Sequence, residues 1–400
     1  MKELDGKRIV LGLTGGVACY KSAELVRRLL EHGASVDVVM TKSACRFITP
    51  STMQALSGRP VLTDLWDDRA HNSMAHINLT READLVLVAP ATANFMVKLS
   101  HGLADDLLST LCLASNIPIM VAPAMNREMW LAPPTQRNVT QLREDGIQIL
   151  GPGVGLQACG ETGDGRMLEP DELVNALVAY FQPKLLTGIR MLLTAGPTCE
   201  PIDPVRMITN RSSGKTGYAI ALAAAQAGAE VTLISGPTNL PCPSGVSRVN
   251  VQTALQMHAA VMQRVDDADI FVAVAAVADW RVVQPSTEKL KKDDTGSAPE
   301  LVFELNPDIL KEVAALPNAP WCVGFAAETT LVPEQAEKKR QRKGVPLLVA
   351  NLAQHVMDAE HTTVELFHDQ GMTSLPSGTK KAVAREIVAQ IAARYRAHQA

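Results

Sequence analysis

Two α/β domains, each built on a parallel sheet, are what this 400-residue sequence predicts. Three observations carry that expectation. Apolar strand-like runs alternate with amphipathic helix-like ones along both halves, the pattern of a parallel sheet covered on both faces. Each half opens with the same grammar of strand, glycine turn, helix, glycine cap and second strand. The length supplies two or three domains at about 150 residues each.

The first half begins "RIVLGLTGGVACYKSAELVRRLLEHGASVDVVMT", a strand, a Gly-rich turn, an amphipathic helix and a second strand from near Ser35. Leu25, Leu29 and Leu30 recur at helical spacing, and Gly33 stands where a helix C-cap belongs. The strand-like runs "ADLVLVAP" and "IPIMVAP" follow, separated by a helical stretch through "LLSTLCLAS". In the second half, "IRMLLTAGPT" is a strand and turn, and "GYAIALAAAQAGAEVTLISGP" a helix, glycine cap and second strand. "ADIFVAVAAVADW", "WCVGFAAE" and "PLLVANL" supply further strands, and an amphipathic helix from about Lys380 closes the chain. Pro183 and Gly188 in "YFQPKLLTG" break periodicity between the halves, which gives domains 1–184 and 189–400. "QPSTEKLKKDDTGSAPE" reads as a long mobile loop of the second domain.

Composition excludes several classes. A formal net charge of -4 exerts no pull on nucleic acid or an anionic membrane, and 4% aromatics provide no stacking platform for single strands. The longest apolar run, "IFVAVAAVA", is too short to span a bilayer, and no signal peptide is expected at the N-terminus. Seven cysteines without a C-x-x-C read as reduced thiols of a cytoplasmic protein. The nine histidines show no metal-ligand spacing, so no protein-built metal site is expected.

In open α/β sheets ligands sit at the carboxyl ends of the strands. Four such ends are distinctive in the first half: "TGGVA", "MTKSACRF", "APATAN" and "APAMNREMW". "TGGVA" lacks the G-x-G-x-x-G spacing of a dinucleotide fingerprint, but one phosphate on the following helix N-terminus is compatible with it. "PATANF" (Pro90–Phe95), "PAMNREMW" (Pro123–Trp130), the flap-like "GLQACGETGDGRM" (Gly155–Met167) and His76 in "MAHINL" together resemble the flavin-dependent cysteine decarboxylase family. The resemblance implies a flavodoxin-like domain that binds FMN through Gly15, Gly16, Thr41, Phe47, Thr92, Ala93 and Asn94. It implies His76 as base, Asn126 as donor to the departing carboxylate and Cys159 as acid on a glycine-rich flap. FMN would serve as electron sink while the substrate thiol is oxidised, carbon dioxide leaves and a hydride returns. Phe95 stands where the family usually has Thr, so no hydroxyl role is expected there.

In the second half, "NRSSGKTG" (Asn210–Gly217) looks like the end of a P-loop, yet G-x-x-x-x-G-K-[ST] would need glycine at position 209, where Thr209 stands. The next glycine upstream, Gly196, is too distant in sequence. "TAGPTCEPIDPVRMITNRSSGKTG", "AAVADWR", "EKLKK", "NPDIL" and "GFAAET" instead resemble the phosphopantothenate–cysteine ligase family and the bacterial bifunctional proteins that fuse both activities in this order. The resemblance implies a nucleotide-binding ligase domain in coenzyme A biosynthesis. CTP would activate 4′-phosphopantothenate as an acyl-cytidylate, cysteine would attack it, and the first domain would decarboxylate the product to 4′-phosphopantetheine. Lys289 and Asn210 are the implied catalytic residues. Arg206, Ala275, Ala276, Asp279, Asn306, Pro307, Asp308, Ile309, Phe325, Lys339 and Lys343 are implied to bind substrate and nucleotide. Mg2+ is implied, held mainly by the CTP phosphates with no protein ligand assigned. Lys215 is either a phosphate contact or a solvated charge, and Leu352 in place of the usual Asp after "AN" puts any role of that turn in doubt.

Two other readings stay open: a flavin-binding regulatory protein of the same fold, and an oxidoreductase on paired Rossmann units. The second predicts an acidic ribose ligand near the end of the second strand, where Thr41 and Lys42 stand instead. The resemblance further implies a homo-oligomer, trimeric through the flavin domains and dimeric through the ligase domains. No nucleic-acid or membrane partner is expected.

Overall fold

The computed structural model describes residues 2–66, 74–158, 160–291, 300–328, 333–352 and 361–399. Contacts divide the chain into two compact units, 1–181 and 182–400.

The first unit runs β1 (Arg8–Leu13), α1 (Cys19–Glu31), β2 (Ser35–Met40), α2 (Pro50–Ser57), α3 (Ala75–Glu82), β3 (Leu85–Ala91) and α4 (Ala93–Ser100). It continues through α5 (Leu107–Leu113), β4 (Ile119–Pro123), α6 (Arg127–Leu131), α7 (Pro133–Glu144) and β5 (Gln148–Ile149). A hairpin of β6 (Gly153–Leu156) and β7 (Thr162–Arg166), then α8 (Pro170–Phe181), complete it. Five strands form a parallel sheet in the order β2-β1-β3-β4-β5, the flavodoxin-like order. Period-two alternation splits each strand between two cores. Ile9, Leu11, Leu85 and Leu87 pack with α1 and α8, whereas Val10, Val86 and Val88 pack with α5 and α7. Gly33 holds φ +96° after α1, the left-handed cap that lets the chain enter β2. Thr49, Thr92 and Asp106 cap α2, α4 and α5 with side-chain oxygens, each contributing about 1 kcal/mol.

The second unit runs β8 (Arg190–Ala195), β9 (Cys199–Pro201), β10 (Met207–Thr209), α9 (Lys215–Gln226), β11 (Glu230–Ser235), β12 (Val246–Asn250) and α10 (Ala254–Met262). Next come β13 (Ile270–Ala273), β14 (Trp280–Val282), β15 (Phe303–Leu305), α11 (Ile309–Ala314), β16 (Trp321–Glu328), α12 (Pro333–Lys343) and β17 (Leu347–Leu352). Short strands β18 (His361–Thr362), β19 (Glu365–His368), β20 (Gly371–Ser374) and β21 (Gly378–Thr379) lead to α13 (Lys380–Gln399). The main sheet has the order β12-β11-β8-β13-β16-β17-β19-β20. Its first six strands are parallel. Counted in chain order they read 3-2-1-4-5-6, the Rossmann arrangement, and the pair β19–β20 extends the edge antiparallel. Leu193, Val272 and Val323 pack on α9 and α13, whereas Leu192, Phe271 and Cys322 pack on α10 and α11.

The strand expected through "IFVAVAAVA" is shorter than its apolar run. β13 stops at Ala273, and beyond it the regular ladder to β8 gives way to an isolated bridge between Ala276 and Pro197. Residues beyond Ala273, including Ala275, Ala276 and Asp279, therefore form a loop and do not end a strand. Among the described residues no helix is long and apolar enough to cross a membrane. Cys19, Cys45, Cys112, Cys199, Cys242 and Cys322 are free thiols, and burial pushes those of Cys112 and Cys322 up to about 12, out of the reactive range.

Candidate active sites

In the first unit the strand order reverses between β1 and β3, which opens a crevice at their carboxyl ends. Thr14 stitches its floor. Its hydroxyl donates to the Pro90 carbonyl (2.8 Å) and accepts from the Thr92 amide (2.9 Å). A Cβ on Gly15 would lie 2.4 Å from the Ser43 Cβ, and one on Gly16 3.7 Å from the Thr92 methyl. Those contacts join the loops after β1, β2 and β3. The Thr41 hydroxyl accepts from the Ala44 amide (3.3 Å) and shapes the turn that carries exposed Phe47. α1 has no side-chain cap, and its first amides, those of Cys19, Tyr20 and Lys21, donate back to the Gly16, Val17 and Ala18 carbonyls. Ala93 and exposed Asn94 begin α4 beside Thr92.

Asn126 follows β4 and caps α6, its carbonyl oxygen accepting from the Glu128 (2.8 Å) and Met129 (3.4 Å) amides. Its amide nitrogen donates to the Glu161 carboxylate (2.5 Å), a residue that sequence reasoning did not single out. The glycine-rich stretch is the β6–β7 hairpin, and it is seated on the Asn126 turn. The Met125 amide donates to the Gly165 carbonyl (2.9 Å) and the Arg127 amide to the Gln157 side chain (3.0 Å). A Cβ on Gly163 would stand 2.4 Å from Arg127 Cδ, so glycine permits this approach. Cys159 lies outside the described residues. His76 is the second residue of α3, which packs on α5 and β1, and its buried Nδ1 has no hydrogen-bond partner. Leaving a buried polar atom unsatisfied costs about 1–3 kcal/mol, which a bound group could recover.

In the second unit a cleft of about 690 Å³ lies at the carboxyl ends of β8, β13 and β16, where the strand order again reverses. Its lining includes Ala275, Ala276, Asp279, Asn306, Pro307, Asp308, Ile309, Phe325, Lys339 and Lys343. The loop after β13 is stitched to the loop after β8: the Ala276 amide donates to the Gly196 carbonyl (2.9 Å) and the Ala278 amide to the Thr198 hydroxyl (2.9 Å). Asn210 donates to the Ala276 carbonyl (2.6 Å) and accepts from the Ser212 amide (3.0 Å), bracing the cleft from behind the lining. Asn306 donates to the Ala278 carbonyl (2.8 Å). Asp308 caps α11 and pairs with Lys343. Burial opposes ionisation of its carboxyl, but Lys343 and the Lys311 amide outweigh that and lower its pKa.

The region "NRSSGKTG" lines the same cleft from Arg211 to Gly217. Gly196, too distant in sequence to complete a P-loop, is adjacent in space. A Cβ on Gly214 would lie 3.3 Å from the Gly196 Cα. Gly214 holds φ +76° before α9, and Gly217 lets α9 approach β8, since a Cβ there would lie 2.5 Å from that of Ala195. Lys215 is the first residue of α9 and faces the cleft.

The flavoprotein family model matches residues 1–182, and that of the DNA/pantothenate metabolism flavoprotein C-terminal domain matches 186–395. A coenzyme A biosynthesis bifunctional protein CoaBC of Vibrio vulnificus is 49% identical over 395 residues, 98% of each chain. Its namesake in Escherichia coli K12 is 48% identical over 400 residues, again 98% of each. The chain belongs to the coenzyme A biosynthesis bifunctional protein family. A crystal structure of the C-terminal domain of a CoaBC protein is 41% identical, covers 53% of this chain and 98% of its own, and gives a TM-score of 0.46.

In this coenzyme A biosynthesis family member, Arg206 and Lys289 are not in the cleft lining. Arg206 donates to Asp203 (2.8 Å) and to the Leu290 carbonyl (2.6 Å), and Lys289 is exposed beside it. The lining also holds Thr194, Ser212, Ser213, Asn351 and Lys380, none of them foreseen. Asn351 and Lys380 arrive from β17 and α13, far along the chain, and only the sheet order could have revealed them. The Asn351 side-chain oxygen is buried without a partner, which returns attention to the turn that Leu352 had put in doubt. No group of three or more His, Cys, Asp or Glu suited to a metal occurs among the described residues.

Proposed function

We propose that the chain makes 4′-phosphopantetheine in two steps, CTP-dependent ligation of cysteine to 4′-phosphopantothenate in the second unit and FMN-dependent decarboxylation in the first. Bifunctional coenzyme A biosynthesis, with decarboxylase and ligase activities, is the function of its family. The observation that carries the reading is the pair of strand-order crevices in one chain: one flanked by a glycine hairpin seated on the Asn126 turn, the other lined by Asp279, Asn306, Lys339 and Lys343.

Ligation begins as the substrate carboxylate attacks the CTP α-phosphorus and displaces pyrophosphate. Cysteine's amine then attacks the acyl carbon, CMP departs and the amine proton is lost. Lys289, Lys339 and Lys343 offset phosphate charge, as phosphoryl and nucleotidyl transfers require. Asn210 holds the activated acyl group, and Mg2+ travels mainly on the CTP phosphates.

For decarboxylation, the residues fit FMN: the Gly15–Gly16 turn, where a Cβ on Gly15 would strike Ser43, with the Thr41, Phe47 and Thr92–Asn94 loops around it. FMN, when bound, supplies a two-electron sink and source. His76 accepts a proton, Asn126 donates to the carboxylate, and Cys159 returns a proton while the flap excludes water. Exposed Val205, Met207, Trp280, Phe303 and Leu305, on or beside the antiparallel pairs β9–β10 and β14–β15, support dimeric contacts through the ligase unit. Exposed Val17, Tyr20, Phe47 and Met129 support trimeric contacts through the flavin unit. A cytoplasmic location follows from these substrates.

A dinucleotide oxidoreductase is disfavoured in both units. β2 is followed by Thr41–Lys42 and β11 by Gly236–Pro237, where an acidic ribose ligand is required.

Incubating the purified protein with 4′-phosphopantothenate, cysteine and CTP should yield a mass of 4′-phosphopantetheine and an FMN-like absorbance spectrum. A colourless protein that FMN cannot reconstitute, or product that stops at the unligated acid, overturns the corresponding half. Gly15→Val forces the loop after β1 off Ser43, so the variant should purify with flavin occupancy lowered roughly tenfold, while ligation continues. Wild-type occupancy in that variant would remove Gly15 from the cradle.

A further inference from the structure

We infer that Asp203 is a positioning residue of the ligase, clamping Arg206 and the Lys289 segment together as one unit. The inference rests on the reading of Arg206 and Lys289 given above and deepens it.

Asp203 lies in the turn between β9 and β10, and its side chain is fully buried. One carboxylate oxygen accepts from the Val205 and Arg206 amides (both 2.8 Å). The other accepts from the Arg206 guanidinium (2.8 Å) and from the Leu290 amide (3.2 Å), 87 residues further along the chain. Arg206 returns to the same place by donating to the Leu290 carbonyl (2.6 Å). Leu290 is thus held at both its backbone groups, by two side chains that are themselves paired. A second tie lies four residues earlier, where the Ser286 amide donates to the Ile202 carbonyl (2.9 Å). Lys289 stands between these anchors with its side chain exposed.

A buried carboxylate is retained only when its bonds repay desolvation. Here those bonds belong to the turn itself, to Arg206 and to the residue after Lys289. Burial of the Asp203 carboxyl opposes its ionisation, but the Val205 amide and the Arg206 and Leu290 donors outweigh it and bring its pKa to about 2. Asp203 is therefore a fixed anion at any working pH and not a proton carrier. Its service is geometric: it sets where Arg206 and Lys289 stand relative to each other.

The test compares Asp203→Ala and the isosteric Asp203→Asn in the full chain, each alone and combined with Lys289→Gln. Ligation is followed by pyrophosphate release, and decarboxylation is measured separately on supplied 4′-phosphopantothenoylcysteine. Asp203→Ala should lower ligase kcat by roughly 100-fold, the scale for a reacting group displaced by about 1 Å, with KM for CTP little changed. Asp203→Asn keeps the bonds from the two turn amides but loses the charge that holds Arg206, so its kcat should fall between the two. Decarboxylation should match wild type in both. Because Asp203 acts through Lys289, adding Asp203→Ala to Lys289→Gln should cost nothing further. Wild-type kcat in Asp203→Ala, or fully additive losses in the double variant, would overturn the clamp. Should Asp203→Ala fail to fold, Asp203→Asn carries the same comparison. Undiminished ligation by Lys289→Gln would instead overturn the reading of Lys289 beneath it.

Discussion

Gly165→Ala should abolish decarboxylation while the ligase runs on. Gly165 holds φ +127°, and a Cβ there would stand 2.4 Å from the Met125 carbonyl oxygen and 2.9 Å from the Gln157 amide. The first is backbone and cannot swing aside. A side chain at this φ costs about 1–3 kcal/mol by itself, and the clash comes in addition. The hairpin must lift, and with it go the Met125–Gly165 bond and the Glu161 contact to Asn126. The expected loss in kcat is about 100-fold or more, as for a reacting group moved by about 1 Å, with flavin absorbance retained because the cradle lies on other loops. Stopped-flow decarboxylation of supplied substrate measures this. A variant that turns over at the parent rate would mean that flap docking on the Asn126 turn has no part in the chemistry.

Lys289→Gln should remove ligation and leave decarboxylation intact. Glutamine keeps a polar end, one carbon shorter, but not the charge, and losing one charge-stabilising donor costs about 100- to 1,000-fold in kcat. The two compact units predict that nothing in the first half responds. Pyrophosphate release and decarboxylation, assayed side by side on one preparation, decide it. Parallel loss of both activities would contradict independent sites, and full ligation would return Lys289 to the solvated face that its exposure alone suggests.

The parallel sheets were legible because their strands are buried on both faces, so that "LVLVAP" and "IFVA" must be near-continuous apolar runs. The pair β19–β20 was not, since four-residue edge strands such as "GMTS" carry no such run. Thr92, Asn126 and Asp308 were named through the motifs that carry the family resemblance, and the structure shows that each also caps a helix. Residues whose meaning is long-range stayed hidden. Gly196 matters through Gly214, Asp203 through Leu290, and Lys380 and Asn351 through the order of strands. Lys343 was anticipated as a nucleotide contact but not its ion pair with Asp308, and any phosphate reaching that lysine has to compete with a carboxylate already there.

The division after Phe181 gives this chain the heredity of two genes within one reading frame. Each sheet is sealed on both faces by helices of its own half. A lesion in either core is therefore expected to act first on the enzyme that carries it, and two differently damaged alleles that complement one another would be the genetic sign of that division.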